Sequence, residues 1–167
     1  MAYAITVLAL LSLTAMAVAR FSNQSADSKR MAETRDELVT QVSLIRSKLM
    51  SCALTYPGGD PTTFDPIPPA TGPSGVPINT INCPGDPAAS KQLWKPADGV
   101  FAPRSLTGLT DWVFIRNAVS PTAVTLSISQ LSGGNPVNAA LQNAALRFGA
   151  QGHYVSSTST LNIDFSN

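Results

Sequence analysis

The first nineteen residues carry no charged side chain, and no acidic residue occurs before Asp27. Proline and glycine are both absent from Met1 to Ala53, so nothing in that stretch forces a helix to break. Histidine occurs once, as His153, and cysteine twice, as Cys52 and Cys83. Charged residues make up 13% of the chain, about half the usual share. The net charge is +1, and the eleven Lys and Arg form no run longer than Lys29-Arg30. Nucleic acid therefore has no electrostatic footprint here, and none is expected as a partner.

These scarcities also weigh against catalysis, which needs a convergent set of reactive groups. His153 lies beside Gly152 and Tyr154 at the start of a strand-like run and reads as a surface or rim residue. The six acidic residues after the long helix (Asp60, Asp65, Asp86, Asp98, Asp111 and Asp164) show no metal-ligand spacing. A cation held by Asp60, Asp65 or Asp86 stays open as a weaker alternative. Gly133-Gly134 is not followed by Lys and Ser or Thr, so there is no phosphate-binding loop of that type. The expectation is no enzyme, no cofactor, and no catalytic or metal-binding residue.

What is present begins with the apolar run itself. Met1–Ala19 is rich in Ala and Leu and, as a helix, would extend roughly 28 Å, about one bilayer core. Such a run is a membrane-embedded helix or a signal peptide. The small residues at Ala15, Ala17 and Ala19 imitate a cleavage site, but the basic residues that open a signal peptide are missing. From Phe21 to Ala53 the chain becomes polar with one apolar stripe. Leu38, Val42, Ile45, Leu49 and Cys52 follow a 4-3-4-3 spacing, with Met31 one heptad before Leu38. The spacing predicts one continuous helix over about residues 1–53, roughly 75–80 Å long. Its first part is apolar all round and its second part on one side only.

Tyr56-Pro57-Gly58-Gly59 stops that helix. Eleven of the thirteen prolines fall between Pro57 and Pro103, which predicts an irregular connection over about residues 55–105. An unstructured segment of that length needs tethering or a function. Two cysteines in a chain with a hydrophobic N-terminus favour a Cys52–Cys83 disulfide over two buried thiols. It would close a loop worth on the order of 3–4 kcal/mol by chain entropy. Trp94, between Lys91 and Lys95, reads either as an anchor for a partner or as a cover that fastens the loop to a sheet.

Regular patterning resumes after Leu106. Asp111–Ile115 is β-rich, and Ala123–Leu131 alternates apolar and hydroxyl residues, as a half-buried strand does. Trp112 reads as core. Asn135-Pro136 and Gly149 frame a short helix near residues 136–148, and Tyr154-Val155 with the alternating Leu161, Ile163 and Phe165 form either a closing hairpin or two edge strands. The fold class expected is α+β. The long helix packs by its second half (Leu38, Val42, Ile45, Leu49) on a C-terminal antiparallel sheet spanning residues 106–167, with the proline-rich connection and the short helix beside it.

This architecture resembles type IV pilins and the pseudopilins of secretion systems, in which an apolar helix continues as an amphipathic one packed on a β-sheet head. The resemblance covers the whole chain: residues 1–20 as filament core and membrane anchor before assembly, 21–54 as the amphipathic continuation, 55–105 as the loop, 106–167 as the head. It implies that Met1 is a methylated terminus exposed by removal of a leader. It also implies that Ala2, Tyr3, Ala4, Ile5, Val7, Leu8, Leu10, Leu11, Leu13 and Met16 are filament-core residues. Two features depart from the family. Its glutamate at mature position five is Ile5 here, which leaves the register-setting device unaccounted for, and its proline near position twenty-two is Ser22.

The function so implied is a structural subunit, the major one, of an extracellular helical filament. Its partners would be further copies of itself, the lipid bilayer before assembly, and an inner-membrane assembly machinery driven by an ATPase. The alternatives are a single-pass anchored protein with an extracytoplasmic binding domain, a minor or tip pseudopilin, and a secreted binding domain whose apolar run is a signal peptide.

Overall fold

The computed structural model describes residues 2–55, 75–81, 83, 93–94, 96, 99–116, 124–132 and 134–165. Within those helices and strands, side chains are described except at 2–15, 17, 19, 53, 55 and 116.

One helix, α1 (Ala2–Thr55, 54 residues), runs without interruption through both the apolar and the amphipathic stretches. That continuity is the expected consequence of a stretch with no proline or glycine. The proline-rich connection contributes one short strand, β1 (Val76–Pro77), followed by a 3-10 turn at Ile78–Thr80. Pro77 is tolerated because β1 lies at the edge of the sheet, where a missing N–H leaves no partner unpaired. The remaining elements are β2 (Val113–Arg116), β3 (Val124–Ser129), α2 (Gly134–Arg147), β4 (Gly152–Val155) and β5 (Thr160–Asp164). The α+β class holds, and so does the short helix, which opens at Gly134 rather than near Pro136.

The five strands form one antiparallel sheet in the order β1-β2-β3-β5-β4. The closing hairpin therefore places β5 inside the sheet and β4 at its edge. Alternation in β3 matches the pattern read from sequence: Val124, Leu126 and Ile128 are buried, while Thr125, Ser127 and Ser129 are half-buried. The buried faces of β2, β3 and β5 turn Phe114, Leu126, Ile128, Leu161 and Ile163 into one core with Leu38, Val42, Ile45 and Leu49 of α1. The other face of the sheet carries Thr125, Ser127, Ser129, Asn162 and Asp164, with Val113 and Ile115 of β2 beside them.

The backbone neighbour of α1 is α2, whose Val137, Ala140, Leu141, Ala144 and Ala145 are buried. Alanines at three of these positions let the two helices approach closely while the sheet side chains reach both. After α2, the chain turns at Gly149, with φ +57, where the expected helix stop falls. It then enters β4 so close to α2 that a Cβ at Gly152 would run into the Ala145 carbonyl oxygen.

The loop is tied down at two places. Cys52 and Cys83 are joined by a disulfide with 5.5 Å between their Cα atoms, which fastens the last turn of α1 to the chain beyond β1. Trp94 is 3% exposed, and its indole N–H donates to the Ile78 carbonyl at 2.8 Å. Of the two readings of Trp94, the structure takes the cover. Trp112 is buried as expected.

Candidate assembly surface

The two parts of α1 meet different surroundings. Leu38 and Ile45 are 0% exposed, and Val42 and Leu49 are 2% exposed, so the stripe read from spacing is the side of the helix that enters the head. Cys52 and Met50 pack at its edge. Met31, one heptad earlier, is half-buried, with the Asn143 amide 3.5 Å from its sulfur. That contact with α2 marks where the head ends along the helix.

Before Met31, the side chains of α1 that are described are all exposed. Arg20 and every residue from Phe21 to Arg30 is exposed, as are Met16 and Val18. Phe21 is 74% exposed, Val18 68% and Met16 66%. Apolar side chains so bare on consecutive turns form a surface that water solvates poorly. The expected filament-core residues Ala2, Tyr3, Ala4, Ile5, Val7, Leu8, Leu10, Leu11 and Leu13 lie on helical backbone, with side chains outside those described. Met1 lies outside the described residues altogether. Among the described residues, no helix is long and apolar enough to cross a membrane. The apolar run Met1–Ala19 falls almost entirely where side chains are not described, so its character rests on the sequence.

The charges on α1 change along its length as well. Lys29 and Glu33 form an i,i+4 pair at 3.8 Å, and Glu37 pairs with Arg104 of the head at 3.5 Å. An open cleft of about 670 Å3 lies between α1 and residues 104–108, lined by Arg30, Arg104, Glu33, Asp36 and Glu37 among others. Two guanidinium groups face three carboxylates there, which gives the cleft no net attraction for an anion. Arg20 and Asp27 have no ion pair among the described residues.

One buried polar residue escaped the sequence reading. Gln41 is 3% exposed and fully engaged. Its Oε1 accepts from the Trp112 indole N–H at 2.7 Å, and its Nε2 donates to the Arg104 carbonyl at 3.0 Å and to Glu37 at 3.3 Å. This clasp fastens α1 to the segment entering β2. A signal was available: Gln41 lies three residues after Leu38 and four before Ile45, a polar residue inside an apolar stripe.

Among the described residues, the potentially reactive groups do not converge. His153 lies on edge strand β4, exposed, with Nε2 3.4 Å from Asp164 Oδ2. Thr125 donates to the other carboxylate oxygen at 2.6 Å. Histidine and hydroxyl thus bind one carboxylate from two sides, rather than each other as a nucleophile and its base do. Among the described residues, no group of three His, Cys, Asp or Glu is placed to hold a metal ion. Asp111 accepts from the Ser105 hydroxyl. Asp60, Asp65, Asp86 and Asp98 lie outside the described residues.

No family model, no characterised protein and no solved structure matches this chain. The functional reading consequently rests on the residues and their geometry.

Proposed function

We propose that this protein is a structural, non-catalytic subunit of an extracellular helical filament, assembled through α1. The observation that carries this reading is the division of α1: the head buries one side of it from Met31 to Leu49, while Met16, Val18 and residues 20–30 are exposed. Helices in proteins draw most of their stability from packing an apolar face, and this exposed part of α1 has none packed within its own described chain. Copies of the same helix supply such a surface, each apolar run against the next. Ala2, Ala4, Ala9, Ala15 and Ala17 allow close approach, as small residues do in membrane bundles.

Before assembly the apolar run would rest in the inner membrane as a single-pass anchor. Transfer from lipid into a bundle of identical helices gains little, because lipid already solvates those side chains. Extraction then needs external work, and an assembly ATPase is the expected partner. The resemblance to type IV pilins adds a leader-processed, methylated Met1 and a cell-surface location. A disulfide in the head accords with that extracytoplasmic location.

Electron microscopy of material sheared from cells that express the protein tests the proposal. Filaments that contain the intact chain, with a methylated Met1 in the mass spectrum of the subunit, are the expected result. A mature chain starting at Arg20 or Phe21 overturns it. A detergent-soluble monomer with no fibres also overturns it, in favour of an anchored binding domain.

A further inference from the structure

We propose that the head pairs with a second copy of itself about a two-fold axis, β4 against β4, and that α2 of each copy covers Leu146 of the other. The pairing stands apart from the filament reading; taken with that reading, it joins filaments that run in opposite directions.

The two edges of the sheet differ in how they meet an incoming strand. β1 is two residues long and carries Pro77, which has no N–H to offer. β4 ends the sheet on the other side with four residues, Gly152–Val155, and has no outer neighbour among the described residues. Proline and lysine, the usual protections of a bare edge, are absent from it. His153 is turned inward to Asp164 of β5 and leaves the edge open.

Beside that edge lies the outer flank of α2. Gln142 and Leu146 are one turn apart on it, and Gly149 follows at its end. With Ala145, Gly152 and Tyr154 they line an open groove of about 550 Å3. Leu146 is 78% exposed there, the barest large apolar side chain among the described residues.

The layered build of the head points to the occupant. A lone strand added to β4 brings no second layer, so the outer flank of α2 would stay wet. A second copy brings both layers. α2 lies over β4 and β5, and neighbouring strands are about 4.8 Å apart. Joining β4 to β4 therefore sets the two α2 axes about 10 Å apart, the spacing of packed helices. Each Leu146 is then covered by the partner's helix. The two joined surfaces are the same patch, so the contact closes at two copies.

Symmetry also fixes direction. Antiparallel β4 strands need an axis perpendicular to the sheet, and that axis reverses α1, which packs along the sheet's buried face. The two apolar runs leave the pair in opposite directions. Copies lined up in one filament cannot pair this way, whereas copies on two oppositely running filaments can.

The test follows the full chain in detergent by sedimentation velocity. The unaltered chain is expected to be a dimer at about 100 μM, and Leu146→Lys to raise the dissociation constant by about tenfold or more. Gln142→Lys, on the same flank, should act in the same direction. Both positions are exposed, so both variants should keep the melting temperature of the original chain. Backbone amides of Gly152–Val155 should exchange more slowly in the dimer than in Leu146→Lys. A monomer at that concentration, a dimer that Leu146→Lys leaves intact, or equal exchange at β4 overturns the pairing. In filament-forming cells, Leu146→Lys should give filaments in unchanged yield that no longer lie side by side. Filaments of the variant that still bundle overturn the link between filaments. An unaltered chain that pairs in detergent but forms no filaments overturns the filament reading and supports the pairing alone.

Discussion

Residues 16–30 and 38–49 belong to one helix and share its backbone geometry, but they are stabilised from opposite directions. In the second stretch the stripe of Leu38, Val42, Ile45 and Leu49 is locked into a core shared with α2 and three strands. In the first, Met16, Val18 and Phe21 are largely exposed among the described residues. The difference teaches that helix continuity and helix burial are separate properties of this sequence. Absence of proline and glycine permits the first throughout. Only the apolar stripe beyond Met31 secures the second within one molecule. A substitution should therefore read out as head stability on one side of Met31 and as assembly on the other.

The largest expected contrast comes from placing one carboxylate in each stretch. Ile45→Asp buries an unpaired charge where exposure is 0%, and it is expected to destabilise the head by more than about 4 kcal/mol. Circular dichroism would show an unfolded or barely folded head. Phe21→Asp should leave head stability within about 0.5 kcal/mol while abolishing filaments. If Phe21→Asp lowered the melting temperature as Ile45→Asp does, the division of the helix would be wrong.

Next in size is the disulfide. Replacing Cys52 and Cys83 by serine releases a bond spanning 31 positions, with an expected loss of about 3–4 kcal/mol in chemical denaturation. The loss belongs to the head, since the bond holds only the last turn of α1. Filaments should still assemble wherever the head remains folded, which extends the comparison to the far end of the helix.

Gln41→Leu sharpens the contrast from inside the stripe. Leucine fits the apolar surroundings but leaves the buried Trp112 N–H and the Arg104 carbonyl without their partner. The expected cost is about 1–3 kcal/mol, despite the gain in apolar character. An increase in melting temperature would show that the clasp is dispensable and that α1 is held by the apolar stripe alone.

Gln41 also marks the boundary of what the sequence makes legible. The long helix and its stripe follow from spacing within a few residues, as does the alternation of β3, because helical and strand periods are local properties. The same holds for the stop at Gly149. Gln41 bonds to residues 63 and 71 positions away, and no local period records that. Strand β1 was hidden for a similar reason. Val76–Pro77 becomes a strand through pairing with Val113 and Phe114 across the proline-rich connection, against its own composition. Sequence leaves Trp94 between two roles because the deciding partner, the Ile78 carbonyl, is fixed by the fold. The exposed surface on α1 was readable only as a surplus, an apolar helix longer than any small head can cover.

The smallest expected effect tests the comparison most finely. Lys29 and Glu33 form an ion pair at 3.8 Å with side chains 78% and 68% exposed, spanning Met31, where the head begins. Exposed pairs are weak, and lysine preceding glutamate is the less favourable order along a helix, so Lys29→Ala should change head stability by less than about 0.3 kcal/mol. Alanine is itself the better helix former and offsets part of even that. Thermal melts at low and high salt should overlay those of the unaltered chain. A larger, salt-sensitive loss would mean that the head senses charge about half a turn before Met31. The covered part of α1 would then start earlier than the side-chain burial indicates, and the exposed stretch left for other copies would be correspondingly shorter.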